Sequence, residues 1–400
     1  MKNVVLLTID TLRSSVIGPN EEGRSLTPFI DSIKDKCIKF TNCKSIGPYT
    51  QASFPGILTS SYYLEHGKSK KLSPDKTVIS EVVKRGGYTT AGFHSNPYLS
   101  DFFGWNRGWD KFYDSMEDEV PDMVPYILGD VINAKASEWL TSYTKQPDFR
   151  PFFLWAHYMD VHEPYVPERK YVDMIDPSIS LSKEEMFAMF KDTLLPRDIS
   201  DPEKVTLLKK LYEAHVFEVD EYTKVLFNKL EELGVLDNTI VIITSDHGDE
   251  FGEHGSLSHD GKMYSELIEV PLIIYDPDLQ EGQTCDTLVS GVDVPPTIAR
   301  LFGLEPPEEF HGSPLLPLDS YAGKYAFGEA IGKTGRKEKE TDKPVYFYQE
   351  GSLRITWREE NDAWEMYDLQ KDPAEKENLI ESSPDAASMK EKLKAAIPHK

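Results

Sequence analysis

Three apolar runs in this 400-residue chain stop on residue types that bind cations, and that recurrence narrows the folds open to it. "NVVLLTI" (3–9) runs into Asp10, "PFFLWAHYM" (151–159) into Asp160 and His162, and "TIVIITS" (239–245) into Asp246 and His247. Continuous β-branched and aromatic runs of this length read as strands buried on both faces. In open α/β sheets, ligands gather at the carboxyl ends of such strands. One Asp at a strand end is an ordinary turn former or helix cap; three strands ending alike argue for a shared site. Carboxylate with imidazole suits Mn²⁺, Zn²⁺ or Mg²⁺, and Ca²⁺ least.

The rest of the pattern agrees with such a sheet. Further strands are expected at "TTAGFHS" (89–95) and "VPLIIY" (270–275), and amphipathic helices at 27–37, 77–87, 128–143, 203–234 and 293–304. Strands alternating with helices imply a large, mostly parallel α/β sheet flanked by helices. Residues 305–343, rich in Pro, Gly and charge, read as a connection. After them, 345–357 and 364–369 look like antiparallel strands before a final helix near 385–396. The expected organisation is an α/β domain over 1–343 and a small C-terminal α+β subdomain over 344–400. The aromatic segment 101–114 is expected to be core or lid.

A net charge of −24 argues against broad contact with a nucleic-acid backbone. The first apolar run is too short to span a bilayer and lacks a small-residue cleavage site, so the expectation is a cytoplasmic protein without a membrane partner. Cys37, Cys43 and Cys285 have no paired spacing, which points to neither a disulfide framework nor a zinc knuckle.

"GPYTQASFPGILTS" (47–60) reads as strand, tight turn and helix start. Helix starts present unpaired N–H groups and a positive dipole end, which suit an anion. A hydroxyl at Thr50 is there either as a nucleophile or as an N-cap; the residue alone leaves both open. Ser53 is expected to cap the helix that follows.

Together with these segments, "LLTIDTLRSSVIG", "FFLWAHYMDVHEPY", "DNTIVIITSDHGDEFGEHG", "MYSELIEVPLII", "DVPPTIARLFGL" and "MYDLQKDPAEKENL" resemble, in order and spacing, the signature segments of the sulfatase branch of the alkaline phosphatase superfamily. The resemblance spans nearly the whole chain. It implies a large central, mostly parallel sheet with helices on both sides and a smaller C-terminal sheet.

The chain departs from that family at the nucleophile. Sulfatases carry a C/S-x-P-x-R signature whose Cys or Ser is oxidised to formylglycine. Here "TQASF" places Thr50 at the nucleophile, Ala52 at the Pro and Phe54 at the Arg. Threonine bears a methyl on the carbon that would become the aldehyde, and "CKSIG" at Cys43 lacks the Pro and Arg. Thr50 instead resembles the phospho-transferring relatives: lipoteichoic acid synthases, phosphoethanolamine transferases and nucleotide pyrophosphatase/phosphodiesterases.

By this resemblance, Asp10, Asp246, His247 and Thr50 Oγ1 surround one divalent cation, which favours the alkoxide of Thr50 and neutralises the transferring group. Many relatives have Asp where this chain has Thr11, and an acid where it has Ser15. Fewer acids disfavour Ca²⁺ and favour Mn²⁺ or Zn²⁺. The resemblance also places His162 near the ester oxygens, and His259 near the leaving group with Lys262 close by. In two-metal relatives an Asp and two His hold a second cation, so Asp160, His162 and His259 form an alternative second site. Arg13 is a candidate for bidentate phosphate contact or for a helix salt bridge, and Asn96 for donation to a nonbridging oxygen. His157, His254 and His66 are expected to hydrogen-bond backbone and stay outside the catalytic set.

The leading expectation is a metal-dependent hydrolase or group transferase. It would act on phosphodiester, phosphonate or related small anionic esters through Thr50. A sulfuric ester hydrolase working without formylglycine is the alternative, and an anion-binding family member without turnover the third reading. Loops 100–127 and 166–202 are expected to set specificity.

Overall fold

The computed structural model describes residues 1–19, 23–67, 71–321, 323–332 and 342–398. Its centre is an eight-stranded sheet in the spatial order Gln283–Cys285, Cys37–Phe40, Leu272–Tyr275, Thr239–Ser245, Asn3–Ile9, Phe152–Tyr158, Thr89–His94 and Lys111–Asp114. Every pairing is parallel except the two made by Leu272–Tyr275, which runs antiparallel to both neighbours. The sheet is therefore mixed and mostly parallel, as the strand–helix alternation implies.

All seven residues of Asn3–Ile9 are buried because helices cover both faces. Val5, Leu7 and Ile9 pack with Leu140, Leu211 and Leu226 from the helices Gly129–Thr144 and Pro202–Glu232. Val4 and Leu6 point the other way, onto Phe54, Val83 and Ile298 from the helices Thr50–Thr59, Ile79–Arg85 and Val294–Leu301. Period-two alternation with both faces apolar is what makes the run continuous.

Register turns this sheet into a site. Ile9 pairs with Ser245 on one side and Tyr158 on the other. Asp10 and Asp246 therefore leave neighbouring strands at one level, a strand spacing of about 5 Å apart.

The helix expected over 27–37 is shorter, covering Pro28–Ser32, because Cys37–Phe40 is needed as a sheet strand. Trp105 and Trp109 of the aromatic segment are buried in the core. The expected boundary at 343 is corrected: Ala326–Ile331, inside the presumed connection, is the first strand of the small sheet. Residues 322 and 333–341 of that connection lie outside the described residues. The run 345–357 folds as a hairpin of Pro344–Glu350 and Leu353–Arg358, and Ala363–Asp368 completes an antiparallel meander. The helix Ala386–Ala396 covers it through Met389 and Leu393.

The small sheet abuts the segment leading to Thr50. Glu329 N donates to Ile46 O at 2.8 Å, and a Cβ on Gly328 would lie 2.4 Å from that same oxygen. Only glycine allows this approach. The C-terminal motif explains itself similarly: Asn378 Oδ1 accepts from Met366 N and Ile380 N, and Glu375 Oε2 accepts from Ser265 N. Among the described residues, no helix is long and apolar enough to cross a membrane.

Candidate active site

Thr50 opens the helix Thr50–Thr59, and its N-cap is the extended Tyr49 without a side-chain cap. Ser53 does not cap this helix; its hydroxyl donates back to Tyr49 O at 2.9 Å and lies 3.3 Å from Thr50 O. The turn before it is tight because Gly47 lies against Ala52, where an added Cβ would come within 2.4 Å of the Ala52 Cβ. Thr50 Oγ1 thus stands at the helix start, 3.5 Å from Asp10 Oδ2. Asn96, just past the strand Thr89–His94, donates from Nδ2 to Asp10 Oδ2 at 2.9 Å and lies 3.4 Å from Thr50 Oγ1.

Asp10, Asp246 and His247 are fully buried and offer ligand atoms within 4.8 Å of one another. His247 Nε2 lies 3.7 Å from Asp10 Oδ1 and 3.5 Å from Asp246 Oδ2, while its Nδ1 sits 2.9 Å from Gly248 O. Burial raises the Asp10 carboxyl, but the His157 imidazole beside it and the charges of His162 and His247 outweigh burial and hold it well below the usual carboxylate range. Asp246 goes the other way, pushed up to about 8 by burial and by the charge of Asp10. Burial also pushes the His247 imidazole down.

Asp10 Oδ1, Asp246 Oδ2 and His247 Nε2 are buried without a hydrogen-bond partner. Unpaired buried acceptors are costly, and two carboxylates this close repel. A divalent cation answers both problems, so the donor set fits one.

Outside this cluster lies a cleft of about 260 Å³ lined by Thr50, Asn96, Tyr126, His162, Arg197 and His259, among others. His162 Nδ1 sits 2.7 Å from Glu163 O, and its ring centroid is 5.2 Å from that of His259. Although burial opposes it, the charges of Asp10, Glu163 and Asp249 raise the His162 pKa. His259 is pushed well down by burial, His247 and His162.

Three expected assignments are corrected. Among the described residues, Asp160, His162 and His259 do not form a group able to hold a metal: both Asp160 oxygens accept from Gly129 N, at 3.1 and 2.9 Å, at the start of a helix. Among the described residues, the other group able to hold a metal is instead His247, Asp249 and His259. Arg13 leaves the cleft, pairing with Glu253 at 2.7 Å, donating to Asp249 O and lying over the Phe251 ring. Lys262 is tied to Glu250 Oε2 at 2.7 Å and His254 O at 3.1 Å, away from the cleft lining.

Other site residues escaped the sequence reading. His157, expected to bond backbone, has Nε2 3.3 Å from Asp10 Oδ2 and Nδ1 2.8 Å from Thr8 Oγ1. Phe54, standing where the signature carries Arg, packs edge-on against His157 at 5.0 Å. Asp249 holds His259 Nδ1 at 2.7 Å; its place three residues after Asp246 was the available signal. Arg197 lines the cleft from a loop with no motif.

Comparison with known proteins shows the family. The Sulfatase family profile matches residues 2–304, and the profile "N-sulphoglucosamine sulphohydrolase, C-terminal" matches 252–400. The chain is 25% identical to an arylsulfatase of Clostridium perfringens, over 95% of this chain and 90% of the relative. Among solved structures, one complexed with its substrate D-glucosamine-2-N,6-O-disulfate superposes with TM-score 0.80 at 22% identity, over 98% of this chain and 96% of the other. The phosphonate monoester hydrolase of Agrobacterium radiobacter superposes with TM-score 0.73 at 18% identity, over 99% and 94%. These relatives are hydrolases. With the fold, the strand-end acids and a profile covering most of its length, the chain belongs to the sulfatase family of the alkaline phosphatase superfamily.

Proposed function

We propose that this chain hydrolyses small anionic esters, phosphodiesters or phosphonate monoesters first, with Thr50 Oγ1 as nucleophile. One observation carries the reading: the Thr50 hydroxyl stands at a helix start, within 3.5 Å of a buried carboxylate that belongs to an unsatisfied acid–imidazole cluster. Asp10, Asp246, His247 and Thr50 would hold a divalent cation, Mn²⁺ or Zn²⁺ by donor set, which supplies charge neutralisation and a more acidic hydroxyl.

The chain's own residues do the rest. Asn96 Nδ2 orients the hydroxyl and the Asp10 carboxylate together. Attack by Oγ1, whose proton leaves to solvent, forms a Thr50–phosphorus bond as the bond to the leaving oxygen breaks. That oxygen takes its proton from His162, whose ring lines the cleft, is anchored through Nδ1 on Glu163 O, and is held toward its protonated form by the surrounding carboxylates. Water, giving a proton to His259 Nε2, then attacks phosphorus and releases Thr50, whose oxygen takes a proton back from solvent; an acceptor alcohol in place of water would make the reaction a group transfer. Tyr126 and the other cleft walls limit access to small esters.

Sulfate-ester hydrolysis without formylglycine is the second reading, favoured by the arylsulfatase that aligns over 95% of the chain. Turnover of bis-p-nitrophenyl phosphate, p-nitrophenyl phenylphosphonate and p-nitrophenyl sulfate with Mn²⁺, Zn²⁺, Mg²⁺ or Ca²⁺ decides between them. Activity on either phosphorus ester supports the first reading. Activity on the sulfate alone replaces it with the second, and binding of the cation without turnover of any ester rejects both.

A further inference from the structure

We infer that Asp249 and Arg197 are positioning residues that clamp His259 from two sides and fix which of its ring nitrogens faces the cleft. The consequence for turnover rests on the function proposed above; the clamp itself does not.

Asp249 is fully buried. Its Oδ1 lies 2.7 Å from His259 Nδ1, and its Oδ2 receives the Tyr165 hydroxyl. A carboxylate only accepts, so Nδ1 carries the hydrogen and Nε2 is the nitrogen left toward the cleft. The other half of the clamp acts on the backbone. Arg197 Nη2 donates to His259 O at 2.7 Å, and Nη1 pairs with Asp260 Oδ2 at 2.7 Å.

Both flanks carry backbone strain. Arg197 has φ +60° and Ser258, next to His259, has φ +66°. Non-glycine residues hold such angles only where their surroundings impose them, a pattern that concentrates at working sites. The ring is further confined between His247 and His162, at centroid distances of 4.5 and 5.2 Å. An imidazole released from Asp249 can rotate and exchange its nitrogens, and misplacing the proton-accepting Nε2 by even a small distance costs rate. Arg197 comes from the 166–202 segment, so that segment contributes bracing to the reactive wall.

The test uses Zn²⁺-loaded protein labelled with ¹⁵N-histidine, and long-range ¹⁵N–¹H correlation spectra in which His259 is identified by its loss in His259→Gln. The expected wild-type result is the Nδ1–H tautomer. Asp249→Ala is expected to move it toward Nε2–H. Asp249→Asn, which keeps an acceptor oxygen and is gentler to folding, should keep the tautomer but move the Nδ1 proton upfield as the charged acceptor is lost. An unmoved His259 signal in both variants, or Zn²⁺ on Nδ1 in place of the proton, overturns the Asp249 half.

For Arg197, Arg197→Ala should lower kcat on p-nitrophenyl phenylphosphonate by about 10- to 100-fold, with KM within about twofold. A raised KM with kcat unchanged would make Arg197 a substrate-binding group and overturn its half. In protein inactive on every ester, the proposed function fails while the spectra still decide the Asp249 clamp. Arg197→Ala is then read from the His259 resonances, which stay fixed if Arg197 does not hold that residue.

Discussion

His157 Nε2 lies 3.3 Å from Asp10 Oδ2, the same carboxylate oxygen that accepts from Asn96 and stands 3.5 Å from Thr50 Oγ1. His157 pairs in register with Thr8, whose hydroxyl meets its Nδ1. One oxygen of Asp10 is therefore spoken for by the protein, and Oδ1 is left for an ion.

With the cation of the proposed function bound to Asp10, His157 would be a determinant of its affinity. Groups that orient a liganding carboxylate typically change affinity by about 10- to 100-fold when replaced. His157→Gln should weaken Mn²⁺ or Zn²⁺ binding by about that factor in chelator-competition titrations, with little change in melting temperature of the metal-free protein. Undiminished affinity would show that Asn96 alone orients Asp10.

The Thr50 series addresses the nucleophile. Thr50→Ala is expected to lower kcat on bis-p-nitrophenyl phosphate by about 10³-fold or more, and Thr50→Ser, which keeps the hydroxyl, by about tenfold or less. Thr50 is nearly buried but small, so Thr50→Ala should cost about 1 kcal/mol of stability, and circular dichroism melting separates that from lost chemistry. Equal rates for wild type and Thr50→Ala would remove Thr50 from the reaction.

What the sequence revealed and what it hid divide along physical lines. The strand cores and the Asp10–Asp246 level were legible because continuous apolar runs and parallel register leave few choices. Asp160 looked equivalent in sequence, yet Gly129 lets a helix start close on it; a Cβ there would lie 2.9 Å from Asp160 Oδ2. The phosphate reading of Arg13 and the leaving-group reading of Lys262 gave way to ion pairs because a chain of net charge −24 offers nearby carboxylates to a cation, and linear order does not say which way a side chain points. The strand "AFGEAI" was hidden by its own functional breaks: Gly328 admits the Ile46 carbonyl, and Glu329 Oε1 accepts from Leu64 N.

The junction of the two sheets depends on a buried ion pair. Arg354, fully buried, pairs with Glu375, and both reach Ser265: Arg354 Nη2 to Oγ at 3.1 Å, Glu375 Oε2 from N at 2.7 Å. Removing one partner strands a buried charge, whereas removing both does not. Glu375→Ala should therefore lower stability in urea by about 3–5 kcal/mol, and Arg354→Met added to it should recover a substantial part. Two losses that simply add would mean the pair acts as independent contacts.

His66 gives the fold a dependence on pH separate from the buried acid–imidazole cluster. Its Nδ1 accepts from Ser73 N at 3.1 Å, so the ring hydrogen is on Nε2, directed at Ser61 Oγ 2.9 Å away. A second proton would have to break the Ser73 bond in a nearly buried site. Burial first, then the charge of Lys76, push the pKa down to about 4, against roughly 6.5 in an unfolded chain. Between those values the unfolded chain binds more protons. Stability from this group is therefore full above about pH 6.5 and is lost as pH falls through the window toward 4. A displacement of that size corresponds to about 3 kcal/mol. Burial likewise pushes His94, stacked on Trp155, down to about 3, adding a parallel slope that a His66 variant retains. The measurement is thus a difference: urea unfolding of wild type and His66→Gln at pH 7 and pH 4.5, with wild type expected to lose about 2–3 kcal/mol more than the variant over that interval. Equal losses would mean that His66 takes up its proton without giving up the Ser73 bond, and would place the acid sensitivity of the fold elsewhere.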